Sequence, residues 1–423
     1  MQRKGLHHLH HFIAGFAIIS TLIITIRQLS PIIGENIIIM GLVIATFIIG
    51  IYCGYKQYNQ QLEHPQFTQQ QKFLIISILC AVGLSYTFID SLDSIIKLIN
   101  PNINVLAILL IFLLIIILPI AYLIGKSKIV INNSSIIGLL LGSIITPIIL
   151  MQYLGMQITI FIVFLMFIGI SLENIFKSPG INLTKTINLS YLLIIPIGYY
   201  LNIFIDHQFF AVTNAYNNYK VIVNENNKIL SINKSASSMI QQDTMQGFEY
   251  IELIKQILFQ DLNLSNKNIL ILGAGGFSFT ANGNLHNNKF TYVDIDPDLK
   301  NIVTKYFNNH IYGDFISSDA AIFIKNATYR GEKYHAVISD VYSSKHIIPS
   351  HILNLEYFSN IKSILEPHGV AIFNIIATPS LNDNYSWDID TKIRTIFPSC
   401  MSIPLNYFTN KVSNIIYVCN LKN

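Results

Sequence analysis

The first two hundred or so residues carry one apolar run after another, each near the length a helix needs to cross a bilayer, roughly 17 to 25 residues. The runs cover residues 12–29, 32–54, 73–92, 103–124, 134–153, 157–173 and 187–205. A helix satisfies its own backbone polar groups, which is what a lipid interior demands. The runs therefore predict an α-helical transmembrane bundle over residues 1–206, with about seven helices. The sixth run is short and is parted from the fifth only by residues 153–157, so one long kinked segment and six crossings is the other reading. Composition agrees, because 52% hydrophobic and 12% charged residues over 423 positions is too apolar for a soluble chain of that length.

Short loops that carry Lys and Arg stay cytoplasmic. Arg3 and Lys4, Lys56 and Lys72, Lys126 and Lys128, and Lys177 and Lys185 fall on alternate loops, against Arg27 and Lys97 on the others. The chain reads as an integral, multi-pass membrane protein with its N-terminus in the cytoplasm. Seven crossings place the C-terminal half outside, and six or eight keep it inside. The start resembles a signal peptide but has no small-x-small cleavage site, so a retained first helix is expected. Asp90, Asp93 and Glu173 end their runs and read as solvated helix ends, the alternative being functional intramembrane acids. His7, His8, His10 and His11 read as an interfacial N-terminus in preference to a metal site. Pro119, Pro147 and Pro196 within helices are ordinary in membrane spans. A net charge of +4 without a basic block argues against nucleic acid. Cys53, Cys80, Cys400 and Cys419 show no C-x-x-C spacing, so no metal is expected.

After Asp206 the pattern changes to alternating strands and helices, and residues 207–423 read as a separate nucleoside-binding domain. A small hairpin is expected at 216–235, from strands 219–223 and 228–232. A helix follows over 248–260, on the spacing of Tyr250, Leu253, Ile254, Ile257 and Leu258. Strands are expected at 268–272, 290–294, 311–315, 335–340, 370–376, 401–404 and 414–419. Seven strands in this rhythm predict an α/β Rossmann-like sheet of the seven-stranded methyltransferase type, parallel and closing on an antiparallel hairpin. Ligands in such sheets sit at the carboxyl ends of the strands. The first strand runs into Gly273-Ala274-Gly275-Gly276-Phe277-Ser278, a turn that lets backbone approach a ligand. The second ends in Asp294-Ile295-Asp296-Pro297, where a carboxylate accepts hydrogen bonds from ribose hydroxyls. Asp319 follows the third, preferred to Asp314 because Ala320, Ala321 and Phe323 continue as a helix start, and Asp340 ends the fourth.

Over about residues 216–376 these motifs resemble the spermidine synthase (polyamine aminopropyltransferase) family, in its membrane-fused form. The resemblance rests on the glycine turn, on Val293 to Pro297, on Asp319-Ala320, on Asp340-Val341-Tyr342-Ser343-Ser344, and on Glu366-Pro367-His368-Gly369-Val370, with Glu249-Tyr250-Ile251-Glu252 similar to its Tyr-His-Glu segment. It implies that Gly273, Gly275, Asp294, Asp319 and Tyr342 bind the cofactor and that Asp294 holds the ribose and Asp319 the adenine. It also implies that Tyr250 and Ser343 meet the substrate and that Asp340 accepts the proton of the attacking amine. The implied co-substrate is decarboxylated S-adenosylmethionine. Four positions depart from the family: Gly276 and Ser343 replace aspartates, Ile251 a histidine and Lys220 a glutamine. The expected activity is aminopropyl transfer to a small-molecule amine such as putrescine. The alternatives are an S-adenosylmethionine-dependent methyltransferase and a non-catalytic nucleoside- or polyamine-binding membrane transporter or sensor. The lipid bilayer is the expected partner and a homo-oligomer the expected assembly. With the domain outside, Cys400 and Cys419 would be free to form a disulfide.

Overall fold

The computed structural model describes residues 2–33, 37–60, 69–99, 105–127, 132–176, 194–283, 285–342, 348–405 and 412–420. Two compact units result, Met1–Asn218 and Tyr219–Asn423. The first extends past residue 206 because the buried Arg27 holds the following segment to it. Its guanidinium donates to the carbonyls of Asn214 and Ala215 and to Oδ1 of Asn218, at 2.8–3.2 Å.

The first unit is built of apolar helices: α1 (Gln2–Ile33), α2 (Ile37–Gln60), α3 (Gln69–Gly83), α4 (Tyr86–Ile99), α5 (Val105–Phe112), α6 (Leu118–Gly125), α7 (Asn133–Ile145), α8 (Gly155–Phe176), α9 (Ile194–Tyr199) and α10 (Asp206–Phe209). A two-residue strand, β1 (Val212–Thr213), comes next. Among the described residues four helices are long and apolar enough to cross a membrane: His8–Pro31, Met40–Tyr58, Leu106–Gly125 and Asn133–Leu172. The expected fifth and sixth runs are thus one continuous 40-residue segment. The third run is broken, since α3 and α4 meet at 66°. Ser85 caps the start of α4 there by accepting the amide of Phe88, and Gln28 takes up the carbonyl of Leu84. The seventh run lies partly outside the described residues, and Ile194–Ile205 is a shorter apolar helix.

π-helical turns at Leu113–Ile117, Thr146–Leu154 and Tyr200–Ile205 lie at or near Pro119, Pro147 and Pro196. Leu113–Ile117 contains the carbonyl four residues before Pro119, where widening the helix accommodates the ring and the missing donor of proline. Close packing relies on glycines: a Cβ on Gly15 would fall 2.0 Å from the carbonyl oxygen of Ser135, and one on Gly54 as close to that of Tyr122. Of the flagged ionisable residues, Asp93 pairs with Lys97 at 2.6 Å, His8 meets the hydroxyl of Ser134, and the side chains of His7 and Glu173 lie outside the described residues.

The second unit opens with an antiparallel meander, β2 (Asn218–Val223), β3 (Asn227–Ile232) and β4 (Ser235–Gln241). The expected hairpin is therefore three-stranded. Asn233 and Lys234 both take positive φ, as a two-residue hairpin turn requires, but the Ser-rich β4 has little strand propensity of its own. Helix α11 (Glu249–Gln256) leads through a π turn to β5 (Asn268–Leu272). Then come β6 (Lys289–Asp294), α12 (Leu299–Tyr306), β7 (Asp314–Ser317), α13 (Ala320–Arg330), β8 (Tyr334–Ser339), α14 (Leu355–Ser363), β9 (Leu365–Ala377), α15 (Asn384–Ile396), β10 (Cys400–Pro404) and β11 (Ser413–Asn420).

Seven strands form one sheet in the order β10-β11-β9-β8-β5-β6-β7. The inner neighbours are parallel, and β11 slots antiparallel between β9 and β10, which is the expected Rossmann-like, methyltransferase-type layout. The third parallel strand begins at Asp314, not at Ile311, because Gly313 sits at φ +129°, a conformation that ends extended backbone. Asp314 consequently starts β7, far from the carboxyl edge, and Asp319 follows its end. The core packs Leu270, Leu272, Val337 and Phe373 of the sheet against Phe358 and Ile361 of α14. Cys400 and Cys419 face each other in register and are joined by a disulfide.

Candidate functional site

At the end of β5 the chain must turn between its two neighbours. Gly273 donates its amide to Val293 of β6 (2.9 Å), and Asp340, just past β8, donates to Leu272 (2.9 Å). Gly273 takes φ +87°, and a Cβ there would lie 2.1 Å from the carbonyl oxygen of Asp340. Only glycine lets the ends of β5 and β8 come this close. Gly275, at φ +49°, faces Ser238 of β4, whose Oγ would stand 2.8 Å from an added Cβ.

Asp294 closes β6 and accepts the amides of Ala274 (3.1 Å) and Asp296 (3.2 Å). Burial raises its pKa to about 6, against the pull of those amides and with a further push from the Asp296 charge. Asp296 itself is fully buried, accepting the hydroxyl of Tyr219 and the amide of Asp298. It ties β2 to the glycine-turn edge of the sheet and so has a structural task, leaving Asp294 as the acid beside the turn.

Asp340 is held on both oxygens. Tyr250 of α11 donates its hydroxyl to Oδ2 at 2.9 Å, and Asn374 of β9 donates to Oδ1 at 2.8 Å. Asn374 is oriented in turn by Asn414 of β11, which donates to its Oδ1 at 2.8 Å. Burial raises the Asp340 pKa, partly opposed by the bonds from Asn374 and Tyr250. Burial and the neighbouring carboxylate keep the Tyr250 phenol protonated, well above its usual range. Tyr342 donates to the carbonyl of Asn374 and accepts the amide of Ile376, so its hydroxyl is spent on β9. The arrangement is a half-buried carboxylate of raised basicity fixed beside a glycine turn, suited to taking a proton.

Asp319 caps α13 by accepting the amide of Ile322 on Oδ1, while Oδ2 meets Nε2 of His351 at 2.9 Å. The predicted residues Gly273, Asp294, Asp340, Tyr250 and Tyr342 thus share the carboxyl edge of the sheet through direct bonds or contacts, whereas Ser343 lies outside the described residues. Of the departures, Ile251 is buried. Lys220 sits on β2 opposite Ser231. Gly276 is glycine for a local reason: an added Cβ would meet the ring of Phe307 at 2.4 Å and Cβ of Ser238 at 2.8 Å. Sequence reasoning passed over Asn374, Asn414, Ser238 and His351. Asn374 alone carried a signal, a polar residue in the middle of an apolar strand.

No family model matches the chain. Over 154 residues it is 30% identical to a polyamine aminopropyltransferase of Vibrio vulnificus, covering 34% of this chain and 49% of that protein. Over 116 residues it is 30% identical to a polyamine aminopropyltransferase of Pyrobaculum aerophilum, covering 25% and 39%. The chain therefore spans about half or less of the length of these curated relatives. Among solved structures, a probable spermidine synthase from Corynebacterium glutamicum aligns with a TM-score of 0.42 and 19% identity, over 48% of this chain and 77% of that one. The resemblance to the spermidine synthase family carried by the glycine turn and the strand-end aspartates is thus matched by sequence similarity to polyamine aminopropyltransferases.

Proposed function

We propose that the second unit is an aminopropyltransferase of the spermidine synthase type, which transfers the aminopropyl group of decarboxylated S-adenosylmethionine to an uncharged amine of the putrescine class. The observation that carries this reading is Asp340, a carboxylate of raised pKa fixed by Tyr250 and Asn374 next to the glycine turn. In the reaction the amine lone pair forms a bond to the carbon next to the sulfonium. The carbon–sulfur bond breaks with its electron pair moving to sulfur, and methylthioadenosine leaves. The nitrogen then bears an extra proton, which passes to Asp340. The carboxylate also favours the sulfonium electrostatically in a site shielded from water. Asp294 holds the ribose, and Asp319 lies at the adenine end.

The helical unit is proposed to anchor this enzyme in a lipid bilayer. The Cys400–Cys419 disulfide supports a second unit on the oxidising side of that membrane.

The test is methylthioadenosine release by the full-length protein from decarboxylated S-adenosylmethionine and an amine. Asp340→Asn is expected to lower the rate by roughly 10²–10⁴-fold, the range for loss of a general base, while methylthioadenosine still binds. Asp294→Ala is expected to lose that binding. Undiminished turnover in Asp340→Asn would sink the mechanism, and no release from the native protein with any amine would sink the function.

A further inference from the structure

We propose that Lys72 and Lys126 form a binding site for a phosphate group at one end of the helical unit, where α2, α3 and α6 meet. The site belongs to the first unit and is independent of the transferase reading.

Lys72 stands in the first turn of α3, Lys126 directly follows the end of α6, and Gln57 and Tyr58 lie in the last turn of α2. Helices α2 and α6 approach backbone to backbone, since a Cβ on Gly125 would fall 2.1 Å from the carbonyl oxygen of Ile51. The start of α3 is tied to the end of α6 twice. Gln69 donates to the carbonyl of Ser127 at 2.7 Å, and the Lys72 ammonium donates to the carbonyl of Lys126 at 3.0 Å. Lys126 reaches back to Oε1 of Gln57 at 3.4 Å. The two ammonium groups also stand 5.9 Å and 5.7 Å from the ring centres of Tyr58 and Tyr122. Both lysines are buried by protein alone, at 4% and 5% exposed.

A buried ammonium is costly unless a negative charge stands beside it. Lys255 of the second unit, also buried, has Glu252 at 2.9 Å. Among the described residues Lys72 and Lys126 have no such partner. They meet a neutral carbonyl, a neutral amide oxygen beyond the usual hydrogen-bond range, and two rings at the outer limit of about 6 Å for a cation–π contact. Helix ends do not make up the difference. The C-termini of α2 and α6 contribute about half a negative charge each, while the N-terminus of α3 adds about half a positive one. Well over one unit of positive charge is left, with most of the ammonium hydrogens unused. An anion with several acceptor oxygens answers both, and lysine binds phosphate as a point charge. On the cytoplasmic side, to which the Lys and Arg distribution assigns these loops, the leaflet carries anionic lipids, and basic pockets between membrane helices bind their head groups. Free phosphate presents the same oxygens.

The experiment is calorimetric titration of delipidated full-length protein in non-ionic detergent with three probes: dioctanoylphosphatidylglycerol, dioctanoylglycerol, which has the same chains and no phosphate, and inorganic phosphate. Native protein is expected to bind a phosphate-bearing probe roughly tenfold or more tightly than dioctanoylglycerol, as befits hydrogen bonds between charged groups. Phospholipid binding without a response to inorganic phosphate assigns the site to a lipid head group. Inorganic phosphate that binds, and displaces any bound phospholipid, assigns it to the free anion. Lys72→Met and Lys126→Met are each expected to weaken that binding roughly tenfold or more, whereas Lys72→Arg should keep it. Lys56→Met, which removes an exposed charge near the same end of α2, should leave it unchanged. Native protein that binds neither phosphate probe better than dioctanoylglycerol would overturn the proposal, as would methionine variants that bind like native protein. An equal loss in Lys56→Met would reduce the effect to general surface charge and overturn it too. Should the methionine variants fail to give monodisperse protein, the native titration and Lys56→Met decide by the same outcomes.

Discussion

Replacing Asp294 by asparagine separates the cost of a buried charge from the worth of its hydrogen bonds. The native carboxyl has a pKa of about 6 against 3.8 for the free group, so the folded state binds protons more tightly than the unfolded one. Its contribution to stability is therefore fully present below about pH 4 and lost as pH rises through about 6. At about 1.4 kcal/mol per unit, that loss is at most about 3 kcal/mol, or about 6–12 °C in melting temperature for a unit of this size. The asparagine cannot ionise, but its amide group faces one of the two backbone donors it should accept, Ala274 or Asp296. That mismatch costs about 1–3 kcal/mol at every pH and drops out of a comparison between pH values. Asp340, also raised by burial, is common to both proteins and cancels. The chain's single tryptophan, Trp387, lies on α15 and so reports unfolding of the second unit. Melting followed by its emission in detergent is expected to show native protein losing more stability than Asp294→Asn between about pH 4.5 and about pH 7.5, a window that starts above the unfolded pKa and crosses the folded value of about 6. Parallel pH curves, or a native protein that gains stability over that range, would refute the assignment of a desolvated charge.

Tyr250→Phe removes a donor that favours ionised Asp340, so the acid limb of the rate profile is expected to move to higher pH, with the rate on that limb roughly tenfold or more lower; an unmoved limb would show that the bond is absent in the working enzyme. Gly276→Asp is expected to destabilise the second unit by about 1–3 kcal/mol through collision with Phe307, and Phe307→Ala in the same chain should recover part of it, as read by Trp387 melting. Reduction of the disulfide, or Cys400→Ser with Cys419→Ser, is expected to cost about 3 kcal/mol for a loop with a separation of 19 residues, and thiol mapping of native protein should label Cys53 and Cys80 alone after unfolding without reductant. Gly54→Leu meets backbone of Tyr122 and cannot be relieved by a rotamer change, so loss of monodisperse full-length protein in detergent is expected, where Gly41→Leu, with open space around it, should behave as native.

The sequence by itself determined what near neighbours encode. Apolar runs of bilayer length marked the first unit, and strand patterning followed by glycines or aspartates placed Gly273, Asp294, Asp319 and Asp340 on one edge of a sheet, because turn chemistry and strand period act over a few residues. Only the tertiary structure decided what those residues touch. The bonds from Gly276 to Ser238, from Asn374 to Asp340 and from Asn414 to Asn374 join positions 38, 34 and 40 apart. No local pattern specifies which polar side chain meets which across strands so separated. The same holds for the two acids of Asp294-Ile295-Asp296: both sit at one strand end, yet the buried hydroxyl of Tyr219, 77 residues away, makes Asp296 a tie within the fold and leaves Asp294 beside the turn. Register and packing assign such roles, since a buried polar group must find its partner wherever the chain brings one.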